Sequence, residues 1–372
     1  MPASDATVVG AAAGRREGSR RWAGSVPDSA ARAIDAFFGP RAADVDAGRA
    51  SVRDGIAVLA GLGAFDVDLP TTVAIVARVA RHDLASAFSA WAHRMVVEYL
   101  GVGRASAAAQ GWLADLRGGR RLGATAMAAG TAHVLAGTPL PVTARRVGGH
   151  LELGGRVPWA SNLLPPFVVV TAAALTHDPG RAVVVALPDA APGLRVEPYP
   201  DLLALGSTGS SSIILDGVAV ADDQILAAEL GAFVERILAP FLLVQTAFCL
   251  GLAERALEEA TAHLGPLGAP LRSELERADA EADRLVGELL TQARAADEGR
   301  TGSGVVQRRS LLALRLDAAR LAGEAVRLEL AAVGGRAFVR GHPTERRLRE
   351  AAFLPIQSPT EVLLRWSLAS NR

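Results

Sequence analysis

Apolar positions along the chain change their period twice. Between about 28 and 120 they recur every three or four residues, in 30–38, 51–62, 71–79 and 84–99. That spacing puts them on one face of a helix. Gly63 and Pro70 punctuate these segments. From about 121 to 225 the period falls to two. "VTARRVGGHLELGGRVPWASN" alternates in short runs around Gly148 and Gly149, which predicts two strands joined by a tight turn. "PFVVVTAAAL", "RAVVVAL" and "SSIILDGVAV" predict further, more deeply buried strands. Beyond about 228 the helical period returns in 231–264, 271–296, 310–332 and 359–369. The expected fold class is therefore mostly α with a middle β-domain, a helical assembly interrupted by strands. The expected organisation is a flexible leader over 1–25, a helical domain over 26–120, a β-domain over 121–226 and a helical bundle over 227–372.

Composition narrows the function classes. With 372 residues, half of them hydrophobic, the chain suits two or three packed domains. A formal net charge of zero provides no basic surplus for phosphate contacts, so no nucleic-acid partner is expected. The single cysteine, Cys249, excludes a disulfide framework and a thiolate metal site, and no metal is expected. All 39 basic residues are arginine, which removes Schiff-base chemistry and a phosphate-loop lysine. The arginines at 15, 16, 20 and 21 precede no apolar signal core, and the apolar stretches 166–175 and 237–254 read as too short or too interrupted to span a membrane. A cytoplasmic location is the expectation from these features. The charged runs "RSELERADAEADR" and "TERRLRE" read as solvated surface, with Arg346, Arg347 and Arg349 as candidate phosphate contacts.

Four stretches carry a family resemblance. "GGHLELGGRVPWASN" (148–162) resembles the strand–turn–strand ending in Trp-x-Thr/Ser-Asn of the acyl-CoA dehydrogenases. "LGSTGSSSIILDGVAVADDQIL" (205–226) resembles the Gly-Ser/Thr-rich strand that closes their β-domain. "CLGLAERALEEATAHL" (249–264) resembles the first helix of their C-terminal bundle. "VGGRAFVRGHPTERRLREAAFLPIQSPTEVLLR" (333–365) resembles their segment from paired glycines to Glu-Gly-Thr. The resemblance implies an N-terminal helical domain, a middle β-barrel and a C-terminal four-helix bundle. It also implies FAD, an acyl thioester or related small substrate, and packing into homodimers or homotetramers.

The resemblance implies cofactor contacts at Trp159, Ser161, Asn162, Gly334, Gly335 and Thr360. A flat amphipathic ring needs an apolar wall and hydrogen bonds along its polar edge, and Trp159 and Ser161 share one face of a strand. Plainer readings stand beside these: Trp159 as a core residue, Thr360 as a helix N-cap, and Gly334 and Gly335 as a helix end and turn. The departures are equally specific. Ser358 occupies the position of the family's catalytic glutamate, and a serine hydroxyl is no general base near neutral pH. Phe241 stands at the alternative base position on the first bundle helix. The nearby carboxylates Glu235 and Glu361 remain as displaced candidates, each with a solvated reading beside it. The pyrophosphate-binding Arg-x-x-Phe-Gly is replaced by "GPLGAPL", Ala331 replaces a glutamine, and the loop before the first long strand is "MAAGTAHVLAGTPLP". These losses imply weakly held FAD, or reduced flavin delivered by a reductase.

Three functions follow. The first is an acyl-CoA dehydrogenase-like flavin oxidoreductase without the usual base, with an electron-transfer flavoprotein as candidate partner. The second is a two-component flavin monooxygenase of the same fold, hydroxylating or N-oxygenating, for which His93 and His133 are candidate site residues, each with the more common reading of a hydrogen-bonded core histidine beside it. The third is a non-catalytic binding or scaffold member.

Overall fold

The computed structural model describes residues 21–178, 180–299 and 305–370. Residues 1–20 of the expected leader, and residues 300–304 between the helical stretches 271–296 and 310–332, lie outside the described residues. Residues 21–25, also read as leader, are instead anchored. Trp22 is buried and its indole N–H donates to Glu254 at 2.9 Å, while Arg21 pairs with Asp279 and Asp283.

Five helices open the described chain: α1 (Asp28–Asp46), α2 (Val52–Gly61), α3 (Leu69–Ala80), α4 (Leu84–Val102) and α5 (Ala107–Arg117). Short polar side chains start four of them. Ser51, Asp68, Asp83 and Ser106 each accept a first-turn backbone N–H that has no intrahelical partner. α4 is buried almost all round, so its two-sided apolar pattern marks a core helix.

The strand region follows with β1 (Leu122–Ala126), the short helix α6 (Ala128–Ala136), β2 (Val142–Val147), β3 (His150–Ala160), β4 (Phe167–Leu175), β5 (Ala182–Pro188), β6 (Leu194–Val196), β7 (Ser211–Val220) and β8 (Ile225–Ala227). They form one mixed sheet in the order β6-β7-β3-β2-β4-β5-β8, with β1 parallel to β4. The predicted hairpin is present: Val147 pairs with His150 across Gly148 and Gly149, and Gly148 takes φ +57°. β3 pairs with β7 so that Ala160 faces Ser211, which sets Ser161 beside Ser210.

The remaining helices are α7 (Leu230–Ala262), α8 (Ala269–Asp297), α9 (Val305–Val333), α10 (Pro343–Phe353) and α11 (Glu361–Ala369). The stretch at 237–254, expected to be interrupted, is one unbroken part of α7. By length and composition α7 matches a membrane span, yet nearly all of its most apolar stretch is buried inside the protein, where α7 packs on α3, α4, α8 and α9. It is the central helix of the bundle. Gly251 makes this packing possible, because a Cβ there would lie 2.1 Å from the Ala77 carbonyl oxygen on α3. Cys249, one turn of α7 away from Gln245, is fully buried.

Charge is used inside this bundle. The run "TERRLRE", expected at the surface, makes up seven of the eleven residues of α10, and Thr344, Arg346, Arg347 and Glu350 in it are buried. Arg347 pairs with fully buried Glu329, which also accepts from the Thr344 hydroxyl. Arg346 and Glu350 are buried 3.5 Å apart, and Glu350 accepts the Leu84 N–H beside Asp83 at the start of α4. Neither Arg346 nor Arg347 is free for a phosphate. The run on α8 keeps its surface reading, with Arg284 bridging Glu281 and Glu288.

Candidate active site

The ends of β1 and β3, the start of β7 and the helices α4, α6, α7, α10 and α11 converge on one open cavity of about 910 Å³. That volume is at the upper end for a small-molecule site. Its inner wall is aromatic. Phe88 stacks on Trp91 with centroids 5.1 Å apart and meets Phe353 edge-on at 5.0 Å, and Trp91 meets Phe241 at 5.3 Å. Helical spacing on α4 puts Phe88 and Trp91 on one face. Trp159 stands opposite, 56% exposed, at the end of β3. A core tryptophan would be covered, so its exposure excludes the plainer reading. A smaller cleft containing the Arg156–Glu197 ion pair lies on the other side of Trp159.

Hydroxyls supply most of the cavity's polarity: Thr125, Thr138, Ser161, Ser210, Ser358 and Thr360. The Ser161 N–H is already committed to the Thr125 carbonyl at 3.4 Å, so the donor that Ser161 has left for a ligand is its side-chain hydroxyl. Thr360 lines the cavity and also caps α11, accepting the Leu363 N–H at 3.2 Å. Both readings of that residue hold together. The Ser358 carbonyl accepts from Gln245 at 2.9 Å and Gln357 at 2.8 Å, and the same two amides accept from Arg315 at 3.1 and 2.7 Å. This fully buried guanidinium thus fixes the orientation of the wall that carries Ser358.

Among the described residues, Arg349 is the one charged side chain in the lining. It is neutralised twice, by Asp46 at 2.6 Å and Glu345 at 2.6 Å, and it also donates to the Leu203 carbonyl. Those carboxylates hold its guanidinium above the ordinary arginine range.

The structure therefore brings together Trp159, Ser161, Ser358, Thr360 and Phe241 from stretches far apart in sequence. It leaves the other predicted residues outside the lining. Asn162 is buried with φ +63°, its amide donating to the Ser89 and Gly123 carbonyls, which ties the β3 end to α4 and β1. Gly334 and Gly335 form an exposed turn after α9, with Gly334 at φ +75°. Glu235 pairs with Arg308, and Glu361 with Arg320 and Arg365; neither reaches the cavity. His93 is fully buried, accepting the Gly123 N–H and donating to the Leu116 carbonyl, and burial pushes its pKa down to about 4. It is a neutral core histidine. His133 bonds the Thr138 carbonyl at 2.7 Å and is also absent from the lining. The sequence does not single out Ser210, Thr208 or, in the aromatic wall, Phe88, Trp91 and Phe353. The Gly-Ser-rich stretch at 205–212 was the available signal for the first two.

The residues present fit an isoalloxazine ring. The exposed Trp159 face offers a wall, Ser161 and Thr360 offer polar contacts, and the volume leaves room for a second molecule. They fit the phosphates less well, because Arg349 has no unpaired charge to give.

No family model matches the chain, and no curated protein matches it either. Solved structures do. A glutaryl-CoA dehydrogenase from Mycobacterium smegmatis in complex with FADH2 superposes with TM-score 0.80 at 15% identity, over 92% of this chain and 93% of that one. KijD3 in complex with FMN and a dTDP-linked amino sugar gives TM-score 0.73 at 21% identity, over 92% and 91%. The dibenzothiophene monooxygenase TdsC from Paenibacillus sp. A11-2 gives 0.71 at 19%, over 93% and 95%. At these identities the shared property is the fold, and the chain has the acyl-CoA dehydrogenase fold. The expected architecture of helices, middle strands and helical bundle stands.

Proposed function

We propose that the protein is a flavin-dependent oxidoreductase whose reaction does not use a carboxylate base, with oxygen transfer to a small apolar substrate as its chemistry. The observation that carries this reading is the neutral lining. Ser358 and Phe241 hold the two positions where a base was expected, and Glu235 and Glu361 are tied to arginines elsewhere. Removing an α-proton from a thioester needs a positioned base of suitable pKa, and among the described residues no carboxylate or histidine lines this cavity. Flavin, when bound, would supply the two-electron carrier and, once reduced, the reaction with dioxygen.

The chain's own residues would do the rest. Trp159 would bear one ring face, Ser161 and Thr360 would orient the polar edge, and Phe88, Trp91, Phe241 and Phe353 would hold a flat apolar substrate away from water. With no free cation among the described residues of the lining, weak binding and supply of reduced flavin by a reductase accord with this site. A second reading, dehydrogenation of an acyl thioester, is favoured by the close superposition on a dehydrogenase. A non-catalytic scaffold is disfavoured by so large a formed cavity.

The test is titration of the purified full-length protein with FAD and FMN, oxidised and reduced, followed by admission of oxygen with aromatic candidate substrates. Oxygen-dependent product formation from bound reduced flavin supports the proposal. Anaerobic bleaching of bound oxidised flavin by an acyl thioester would establish the second reading instead.

A further inference from the structure

Arg315 lies on α9 with none of its surface exposed. Its Nε donates to Gln245 Oε1 on α7 at 3.1 Å, and its Nη2 donates to Gln357 Oε1 at 2.7 Å. Both partners are neutral amides. Its Nη1 has no partner, and the guanidinium carbon lies 5.9 Å from the centre of the Phe248 ring. Among the described residues no carboxylate pairs with it. Cys249 lies close enough to feel this charge, but burial pushes its thiol up, so it stays neutral. The other buried or cavity-lining arginines are answered: Arg346 by Glu350, Arg347 by Glu329, and Arg349 by Asp46 and Glu345. A guanidinium is always charged, and burying a charge without a counter-charge is costly. Arg315 is therefore a cation in want of an anion.

The side on which that anion belongs can be read from the two glutamines. An arginine only donates, so both amide oxygens must face it, and both amide nitrogens face elsewhere. The nitrogens meet at the Ser358 carbonyl, at 2.9 Å from Gln245 and 2.8 Å from Gln357. Gln357 and Ser358 line the cavity, whereas Arg315 stands behind them. This stretch of wall has unused donors. Gln357 keeps a second amide N–H, and the Ser358 hydroxyl has no partner among the described residues. The Ser358 carbonyl, by contrast, is already occupied twice. No carboxylate among the described residues lines the cavity, so nothing on that side cancels the charge behind the wall.

We propose that the Gln357–Ser358 wall is the subsite for an acidic group of the substrate, a carboxylate or phenolate carried on an apolar body, with Arg315 supplying the counter-charge from behind. The proposal rests on the reading of this cavity as a substrate site and names the class of substrate. An anion at the wall meets hydrogen-bond donors in front and a cation one layer deeper. In such water-poor surroundings charges act on each other more strongly than in water. The aromatic rings of Phe88, Trp91, Phe241 and Phe353 hold the apolar body. Arg315 touches no ligand and is a positioning residue that acts through Gln357 and Ser358.

Naphthalene-2-carboxylate and naphthalene-2-carboxamide differ in charge and hardly in shape. The experiment is calorimetric titration of both into the purified full-length protein at neutral pH and fixed ionic strength, with flavin binding followed separately in the same samples by visible absorbance. The expected result is that the carboxylate binds about tenfold more tightly than the carboxamide. Arg315→Met strands no carboxylate and should bring that ratio to about one, with circular dichroism checking the fold. Arg315→Lys keeps the charge and should keep most of the preference. Ser358→Ala removes a donor from the wall itself and should lower the ratio about threefold, which tests the subsite even where Arg315→Met does not fold. A wild-type protein that binds neither probe, or binds both equally, overturns the subsite. So does a preference that survives both Arg315→Met and Ser358→Ala. Flavin binding without a preference for the acid overturns this inference alone, and a preference for the acid without flavin binding overturns the flavin reading alone.

Discussion

The cavity wall and the layer directly behind it use opposite chemistry. The wall presents aromatic rings, aliphatic side chains and hydroxyls, with its one arginine doubly neutralised. Behind it, where α10 packs on α4 and α9, Glu329, Arg346, Arg347, Glu350 and Asp83 are all buried. The contrast separates two uses of polar groups. Ionic groups here lock helices against each other, and neutral groups face whatever enters the cavity. Buried ion pairs are poor sources of net stability, but removing one member leaves an uncompensated charge and is expensive. The layer is thus hard to alter piecemeal.

Four substitutions break or sharpen this contrast. Glu329→Leu should have the largest effect, leaving Arg347 buried without its hydrogen-bonded counter-ion and lowering unfolding free energy by about 3–5 kcal/mol in urea titrations. A loss below about 1 kcal/mol would show that the layer is not locked by charge. Glu350→Gln should change the pH dependence. Burial, with Asp83 adding to it, pushes the Glu350 pKa up to about 7 from 4.5. A raised folded pKa means that this group's contribution is fully present below pH 4.5 and is lost as pH rises through 7. The wild-type protein should therefore lose roughly 3 kcal/mol relative to Glu350→Gln across that window. Parallel stability curves for the two proteins would contradict this assignment.

On the cavity side, Trp159→Ala should weaken flavin binding about tenfold while shifting stability by less than about 0.5 kcal/mol, because the ring is more than half exposed. Equal losses in both measurements would make it a core residue after all. The smallest effect is expected for Glu361→Gln, whose carboxylate faces Arg320 and Arg365 rather than the cavity. Turnover should stay within about twofold, as for surface changes generally. A collapse of kcat with altered pH profile would restore Glu361 as a displaced base.

The periodicity switch placed most helices and the main strands, because an apolar face repeats at a period that burial imposes. It passed over α5, α6 and α10. α10 was hidden by charge: "TERRLRE" has the composition of a solvated turn, and its partners Glu329, Asp83 and Asp46 lie on other elements. At the site, Trp159, Ser161, Thr360, Ser358 and Phe241 were legible through motif register. The aromatic wall was not, since Phe88 and Trp91 on a buried helix look like any other core residues until the cavity beside them is known. His93 shows the converse. Its type invites a catalytic reading and its apolar flanks a core one, and its two backbone partners decide for the structural role.

Burial of Cys249 at the centre of α7 has a practical consequence. The chain has one thiol and no lysine, so a thiol-directed reagent has a single target side chain and no competing side-chain amine. Burial also raises the thiol's pKa, keeping it unreactive while the bundle is closed. Labelling rates in native buffer would then report how often the central helix opens, and a ligand that seals the cavity should slow that clock.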